Sequence, residues 1–331
     1  MHSPATVGSL EAALERAVSR FDDGSATSAQ MRYHLGFTAG GRRGERLRSR
    51  LVLAVAEEEG GRLEDALDAA CAVEIVHELS LVHDDIEVGD VRRYERDSVW
   101  SRFGLAHGIN AGDALCAVAY LALLDGTSTR PPHVTVSMTR TLHEAHLALC
   151  GGHARNIAFK SRSRVSLAEY RAMIDGKTAA LFGAACELGA RSAGADAERA
   201  GAYARFGRAY GSAIHLEDDV FVTWGEAESG PPSRSARNGQ PQWSFPLVWA
   251  AAGPPSQARD TIAAAYARPA TGDEQDAVAL VAALDALGAR DASLREARAE
   301  LDRADELARV FAIDRSERVR ALFQQALRRV A

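Results

Sequence analysis

Long proline-free segments, in which apolar residues recur every three or four positions, run through most of this chain and limit the folds open to it. They are rich in Ala, Leu, Arg and Glu, which favour helices, and their spacing is that of one helical face. Short alternating Val, Ile and Thr runs bounded by turns are absent, so a sheet is not indicated. The pattern predicts an all-α protein. The predicted helices cover residues 8–21, 44–59, 62–87, 110–125, 132–153, 166–190, 196–224, 256–267, 274–288, 291–312 and 315–330.

Two segments, 66–82 and 110–124, are apolar on nearly all sides, which indicates helices at the centre of a large bundle. The polar stretch 226–242 is rich in Gly, Pro and Ser and too long for a simple connection, so we expect a mobile loop or a lid. No internal repeat is evident. We therefore expect residues 1–331 to form a single all-helical domain.

Charge and composition exclude several classes of protein. The 39 basic and 45 acidic residues give a net charge of −6, so no global positive field attracts nucleic acid. No apolar run reaches the roughly 18 residues of a membrane span, and no secretory signal opens the chain. We expect a cytoplasmic protein without stable membrane insertion. The four cysteines stand far apart in apolar runs, and we expect them to be reduced core residues.

Two pairs of adjacent aspartates, Asp84–Asp85 and Asp218–Asp219, each stand late in a long apolar helix. Neighbouring carboxylates at such a position repel each other and lose hydration unless a cation lies between them. Magnesium prefers oxygen ligands and leaves room for substrate phosphates. Two pairs that face each other across a bundle would hold magnesium, and we favour this interpretation over two exposed helix ends.

Five stretches in this chain resemble the trans-isoprenyl diphosphate synthase (polyprenyl synthetase) family, in family order and over most of residues 40–250. The resemblance implies an all-α bundle around a central cavity (the isoprenoid synthase fold), usually as a homodimer. It implies an enzyme that ionises an allylic prenyl diphosphate with three magnesium ions and couples the cation to isopentenyl diphosphate. The stretches are RLRSRLVLAVAEEEGG (46–61), VEIVHELSLVHDDIEVGD (73–90), VWSRFGLAHGINAGDAL (99–115), YRAMIDGKTAALFGAACELGA (170–190) and YGSAIHLEDDVFVTWG (210–225).

The family's ionisation site is well represented. The resemblance makes the two aspartate pairs magnesium ligands, and it makes Arg93, Lys177 and Thr178 ligands of the allylic diphosphate. Such cations meet the charge that grows on a departing diphosphate. Lys177 is one of only two lysines in an arginine-rich chain, so its retention favours a role in the chemistry.

Both aspartate motifs depart from the family pattern, which has a third carboxylate four residues after the first. Val88 and Val222 stand at those positions. Glu87 can reach the same helical face from three residues away, and Asp90 can turn back if the helix ends before it. Glu226 lies eight residues after Asp218 and is a further candidate metal ligand, although it also fits the start of the loop.

The acceptor site, which in the family holds isopentenyl diphosphate, departs further. Glu45 falls on a family lysine, and Tyr94 and Glu95 fall on the second arginine and the glycine of an Arg-Arg-Gly motif. A diphosphate that faced Glu45 would be repelled. The residues that remain of this site are Arg46, Arg48 and His77.

These departures favour one function and leave two alternatives. We expect the cation to be cyclised or quenched in the cavity rather than extended, as in a terpene synthase on a prenyl synthase scaffold. The first alternative is a chain-elongating farnesyl- or geranylgeranyl-type synthase whose acceptor site is rebuilt from Arg42, Arg43, Arg46 and Arg48. The second is a non-catalytic regulatory subunit.

The resemblance also implies a pocket floor one helical turn before Asp84, at Leu79 and Ser80. Bulky aromatic residues at these positions stop the growing chain early in the family. Neither residue is aromatic here, so we expect a cavity that admits a farnesyl, geranylgeranyl or longer chain.

Overall fold

The computed structural model describes residues 4–38, 40–41, 43–125, 130–225, 243–267, 274–313, 319–322 and 324. Glu226 and the predicted loop 226–242 lie outside the described residues, as do Arg42 and most of the predicted helix 315–330. The described part is mostly helical and has only two very short strands, which confirms the all-α prediction.

The structure has fourteen α-helices in its described residues, numbered here in chain order. Most coincide with predicted segments, but α2, α5 and α11 were not predicted, because segments this short do not establish a helical period. The bounds are α1 Pro4–Ser19, α2 Ala26–His34, α3 Leu47–Glu58, α4 Leu63–Val88, α5 Val99–Phe103, α6 Leu105–Asp125, α7 Pro132–Phe159, α8 Leu167–Ile174, α9 Ala180–Ser192, α10 Ala197–Trp224, α11 Phe245–Ala251, α12 Gln257–Ala267, α13 Glu274–Ala286 and α14 Ala289–Val310.

A short antiparallel hairpin follows α4 and corrects the expectation that strands are absent. Its strands are β1 Arg92–Arg93 and β2 Arg96–Asp97. Two-residue strands are too short to show an alternating pattern in the sequence. The turn residues Tyr94 and Glu95 have φ values of 51° and 61°, as the tight turns of hairpins require.

The predicted helix 166–190 is interrupted. Helices α8 and α9 are joined by a π-helical turn, Asp175–Ala179. Single π turns inside helices often occur at functional sites, and this one contains Lys177 and Thr178.

The described residues divide into two compact units. The first draws on Met1–His146, Leu181–Gly207 and Ala308–Leu322, and the second on Leu147–Ala180, Arg208–Leu307 and Phe323–Ala331. The prediction of a single domain is not tested by this division and stays a prediction.

The first unit is built around α4, whose middle is buried against α3 and α6. Helix α6 contacts α4 at Gly112, where a Cβ would lie 2.0 Å from His83 Nε2 and would displace that ring. By length and composition alone, α6 is the one described helix that is apolar enough to cross a membrane. Of its most apolar stretch 44% is buried in the structure, and buried core helices pass the same test.

The second unit has an aromatic core that positions the end of α10. Tyr170 on α8 is buried near Phe159 and Phe245, with which its ring makes contacts. Helix α8 begins at a capping box in which Ser166 and Glu169 satisfy each other's backbone N–H groups. The fixed start of α8 sets the position of the Tyr170 side chain.

Candidate active site

The first acid pair lies in the last turn of α4. The helix ends at Gly89, which has φ 70°, and the N–H of Asp90 donates to the Asp85 carbonyl at 2.8 Å. Only Gly adopts this left-handed conformation without penalty, so the helix end is fixed by the sequence. The Asp90 carboxylate accepts the N–H of Arg92 at 3.3 Å and so also opens the hairpin.

The two members of this pair have different surroundings. Asp85 is 1% exposed, and its Oδ1 accepts from Arg93 Nε at 3.0 Å and from Arg93 Nη2. Its Oδ2 is buried without a hydrogen-bond partner among the described residues. Burial raises the pKa of Asp85 above its usual value, although the Arg93 guanidinium opposes the shift. An orphaned carboxylate oxygen is the kind of atom that a cation would satisfy.

Asp84 is partly exposed and has a carboxylate oxygen within 4.8 Å of one from Glu87. The two residues are three apart on α4 and therefore share one helical face. The family pattern has a carboxylate at the position of Val88. The arrangement is the one expected if Glu87 replaces that carboxylate.

The second acid pair lies near the end of α10 and repeats this asymmetry. Asp218 is exposed, whereas Asp219 Oδ2 accepts from Tyr170 OH at 2.6 Å and from the N–H of Phe245 at 2.9 Å. Burial raises the pKa of Asp219 to about 7 despite these two donors. Tyr170 was not predicted, since its partner is distant in sequence and no local pattern indicates the contact.

Lys177 and Thr178 project from the π-helical turn, which packs closely on α7. A Cβ on Gly152 would lie 2.2 Å from the backbone nitrogen of Lys177, so glycine is required there. Thr178 Oγ1 lies 2.7 Å from His215 Nδ1. Burial, assisted by the charge of Lys177, lowers the pKa of His215 to about 3, so this imidazole is neutral at physiological pH. The pair joins the turn to α10.

Arg46 is 3% exposed and is held by carboxylates. Its Nη1 lies 2.5 Å from Glu78 Oε1, its Nε donates to Glu11 at 3.0 Å, and its Nη2 donates to the Leu35 carbonyl at 2.8 Å. The predicted diphosphate-binding role of Arg46 therefore has to compete with internal carboxylates. Glu78 was not predicted as a site residue; an acidic residue in the middle of an apolar helix is the signal that indicates it.

Two more side chains reach Glu78. His34 Nε2 lies 2.9 Å from Oε2, and Tyr94 OH donates to Oε1 at 3.2 Å. Burial alone would raise the pKa of Glu78, but hydrogen bonding and charge from His34 and the charge of Arg46 lower it to about 2. Burial and the charge of Arg48 hold the pKa of the neighbouring His77 well below its usual value, so His77 is neutral.

The predicted floor residues are both buried in the first unit. Leu79 is 3% exposed and Ser80 is 6% exposed. Ser80 Oγ donates to the His77 carbonyl at 2.6 Å, so its hydroxyl is satisfied within its own helix.

Comparisons with known proteins agree on a family. The polyprenyl synthetase model matches residues 33–283. A (2E,6E)-farnesyl diphosphate synthase of Mycobacterium tuberculosis is 38% identical over 227 residues, which are 66% of this chain and 62% of that protein. A geranylgeranyl diphosphate synthase of the same organism is 37% identical over 280 residues, 81% of this chain and 77% of that protein. The chain thus matches less than two thirds of the farnesyl diphosphate synthase.

A solved structure shows the same fold. The polyprenyl synthetase from Streptomyces coelicolor A3(2) superposes with a TM-score of 0.84 at 30% identity and covers 98% of this chain and 96% of its own. The names of the relatives contradict the expectation of a cyclising or quenching enzyme and favour the chain-elongating alternative. That expectation gave too much weight to substituted acceptor residues. The family model matches three quarters of the length of this chain, and this chain therefore belongs to the polyprenyl synthetase family.

Proposed function

We propose that this chain is a chain-elongating prenyl diphosphate synthase. Its relatives named farnesyl and geranylgeranyl diphosphate synthases, at 36–38% identity, carry this proposal. In the reaction, the allylic carbon–oxygen bond breaks and the diphosphate leaves with the electron pair. The double bond of isopentenyl diphosphate attacks the allylic cation, and loss of a proton restores a double bond in the longer product.

The acidic residues fit magnesium. The orphaned Oδ2 of Asp85 and the adjacent oxygens of Asp84 and Glu87 are hard oxygen ligands in one unit, and Asp218 with Asp219 supplies a second set. When bound, magnesium neutralises the charge of the leaving diphosphate. That the pairs share ions, and that the ions number three, stays a prediction.

The remaining site residues would hold the allylic diphosphate. Lys177 is fixed by the glycine contact of its π turn, and Thr178 is fixed by His215. Arg93 lies on the hairpin beside Asp85, so we propose that it divides its donors between this carboxylate and the substrate. Preorganised cations of this kind contribute most where charge develops during the reaction.

A homodimer is part of the proposal. Four large apolar side chains of α6 are more than 40% exposed, and apolar side chains grouped on a surface often mark an interface between proteins. A second copy of the chain would cover them. They are Leu105, Ile109, Leu121 and Leu124. Location in the cytoplasm also stays a prediction.

One incubation series tests the reaction. The purified protein is given magnesium and geranyl, farnesyl or geranylgeranyl diphosphate, each with and without isopentenyl diphosphate. We expect longer prenyl diphosphates, formed only when isopentenyl diphosphate is present. Hydrocarbons or alcohols formed equally well without the acceptor, or no turnover of any allylic diphosphate, would overturn the proposal.

A further inference from the structure

Two strained residues direct their side chains to one buried carboxylate. Arg46, immediately before α3, has φ 53°, and Tyr94, in the hairpin turn, has φ 51°. Residues with a Cβ seldom adopt this left-handed conformation, and where they do, the surrounding contacts compensate the strain. Both side chains reach Glu78, which has no exposed surface. Strain that converges on one group indicates a functional role for that group.

With these groups around it, Glu78 is ionised. Its negative charge compensates the positive charge of Arg46. The buried carboxylate accepts from Arg46 and Tyr94, and His34 Nε2 lies 2.9 Å from its other oxygen. Arg46 also pairs with Glu11, whose other oxygen accepts from Arg43 at 3.1 Å. Two of the arginines expected to rebuild an acceptor site are therefore already paired with carboxylates of this chain.

The charge of Glu78 acts at the place where the acceptor is expected. His77, adjacent to Glu78 on α4, experiences the charges of Arg48, Glu78, Arg93 and Arg46. Three of these charges attract a diphosphate and one repels it. In a poorly solvated region, a single buried charge near a bound anion changes the affinity for that anion substantially.

We infer that Glu78 is a specificity-determining residue that weakens binding of isopentenyl diphosphate, because its carboxylate neutralises Arg46 and holds the Tyr94 hydroxyl. The inference rests on the proposed function, since it concerns the acceptor of that reaction. Glu11 contributes in the same direction from α1. The acceptor site of this chain is thus restrained by internal anions rather than formed by free arginines.

Direct binding tests the inference without catalysis. Isothermal titration with isopentenyl diphosphate, in the absence of magnesium and allylic substrate, is carried out on the natural chain and on Glu78→Gln. Glutamine keeps an acceptor oxygen for Arg46, removes the charge and places an NH2 group in the position of the second oxygen. We expect about tenfold tighter binding, from the Coulomb energy of one buried charge at an effective dielectric constant well above that of a dry interior. Glu64→Gln is the matched control, since it makes the same change at the exposed far end of α4, and we expect it to leave affinity unchanged.

A second variant keeps the test decisive if Glu78→Gln does not fold. Glu11 is 15% exposed and is replaced with less structural risk, and Glu11→Gln is expected to tighten binding about threefold. Unchanged or weaker binding in a folded Glu78→Gln protein, or in Glu11→Gln if the first is unfolded, overturns the inference. Thermal melting identifies which variants are folded.

Steady-state kinetics provides a second readout. We expect Glu78→Gln to lower the KM for isopentenyl diphosphate about tenfold, with kcat and the KM for the allylic substrate within about twofold. A purely structural role would change kcat and both KM values together. If no elongation occurs in any variant, the proposed function fails, whereas the titration still decides the role of Glu78.

Discussion

At the scale of single residues, each acid pair combines one anchored and one outward carboxylate. Asp85 is held by Arg93 and Asp219 by Tyr170 and a backbone N–H, whereas Asp84 and Asp218 reach solvent. The anchored member is held by donors of this chain, and the outward member lies where a magnesium ion can approach it. Loss of an outward carboxylate should therefore affect chemistry more than stability.

Asp84→Asn tests this division of roles. We expect kcat to fall by at least about a hundredfold, because a magnesium ligand is lost, while the melting temperature without metal stays within about 2 °C. Turnover measured over a range of magnesium concentrations, together with circular dichroism melts, checks both statements. Glu87→Gln is the companion variant; an equal loss there would assign Glu87 to the metal, and full activity in Asp84→Asn would remove Asp84 from the mechanism.

Asp219 gives the metal-free protein a defined pH dependence. Its pKa in the folded state is about 7, above the ordinary value of about 4, so the folded chain holds a proton that the unfolded chain releases between these values. The stability contributed by this proton is present at low pH and is lost as pH rises through about 7.

Asp219→Asn removes the ionisable group, so the loss of stability with rising pH no longer occurs at this position. The asparagine keeps an oxygen that accepts from Tyr170. We expect the variant to gain stability relative to the natural chain between pH 4 and pH 8, by on the order of 2 kcal/mol. Urea unfolding at several pH values, with a chelator present, measures the difference. Asp302→Asn, at an exposed position on α14, serves as the control. A stability difference that does not change with pH would contradict the assignment.

The sequence identified the metal-binding and diphosphate-binding candidates but not the groups that hold them. Aspartate pairs and a rare lysine can be recognised from their types and spacing alone. Glu78, Tyr170 and His215 owe their roles to partners that are 16 to 49 residues away along the chain or on another helix. Only the packed chain brings those partners together.

At the scale of elements, the π-helical turn is the least regular part of a predicted helix. It lies where α7 approaches most closely, at Gly152 and Gly176. The sequence predicted a continuous helix over 166–190, because the periodicity persists on both sides of the turn. The extra residue of the turn lies at this contact with α7, and no local sequence pattern indicates it.

Gly152→Ala tests the link between this contact and Lys177. The new Cβ would lie 2.2 Å from a backbone nitrogen, which cannot move without displacing the turn. We expect a loss of about 1–3 kcal/mol in the free energy of unfolding and a lower kcat. Denaturant unfolding and turnover measure the two effects.

Gly151→Ala is the matched control on the same helix. Its Cβ would meet only the flexible end of Arg155 at 3.3 Å. Because alanine favours helices over glycine, we expect stability to be unchanged or higher by about 0.5–1 kcal/mol. Equal destabilisation by both substitutions would contradict the specific contact.

The bounds of α4 and α10 were predicted to within one residue, whereas α6 begins at Leu105, before its predicted start at residue 110. The hairpin after α4 was missed, since its strands have two residues each and its turn contains no glycine. Tertiary hydrogen bonds to α4 compensate the unfavourable turn, and such contacts are not visible in a local pattern.

At the scale of the whole molecule, the exposed apolar face of α6 is the feature that a single chain leaves unexplained. If a second copy covers this face, a charge placed there should prevent association. We expect Leu121→Glu to convert a dimer to a monomer, because an unpaired charge is costly to bury. Size-exclusion chromatography with light scattering measures the mass. Val278→Glu, at a valine that is 59% exposed on α13, should leave the mass unchanged; a dimeric Leu121→Glu protein would place the interface elsewhere.

The hairpin formed by β1 and β2 contacts two acidic residues of α4. Its consecutive residues Arg93 and Tyr94 bind Asp85 and Glu78, which stand two helical turns apart. A change at position 78 or 94 therefore affects the other position as well. Loss of the Glu78 carboxylate removes the acceptor of the Tyr94 hydroxyl, and loss of that hydroxyl removes one donor from a buried anion.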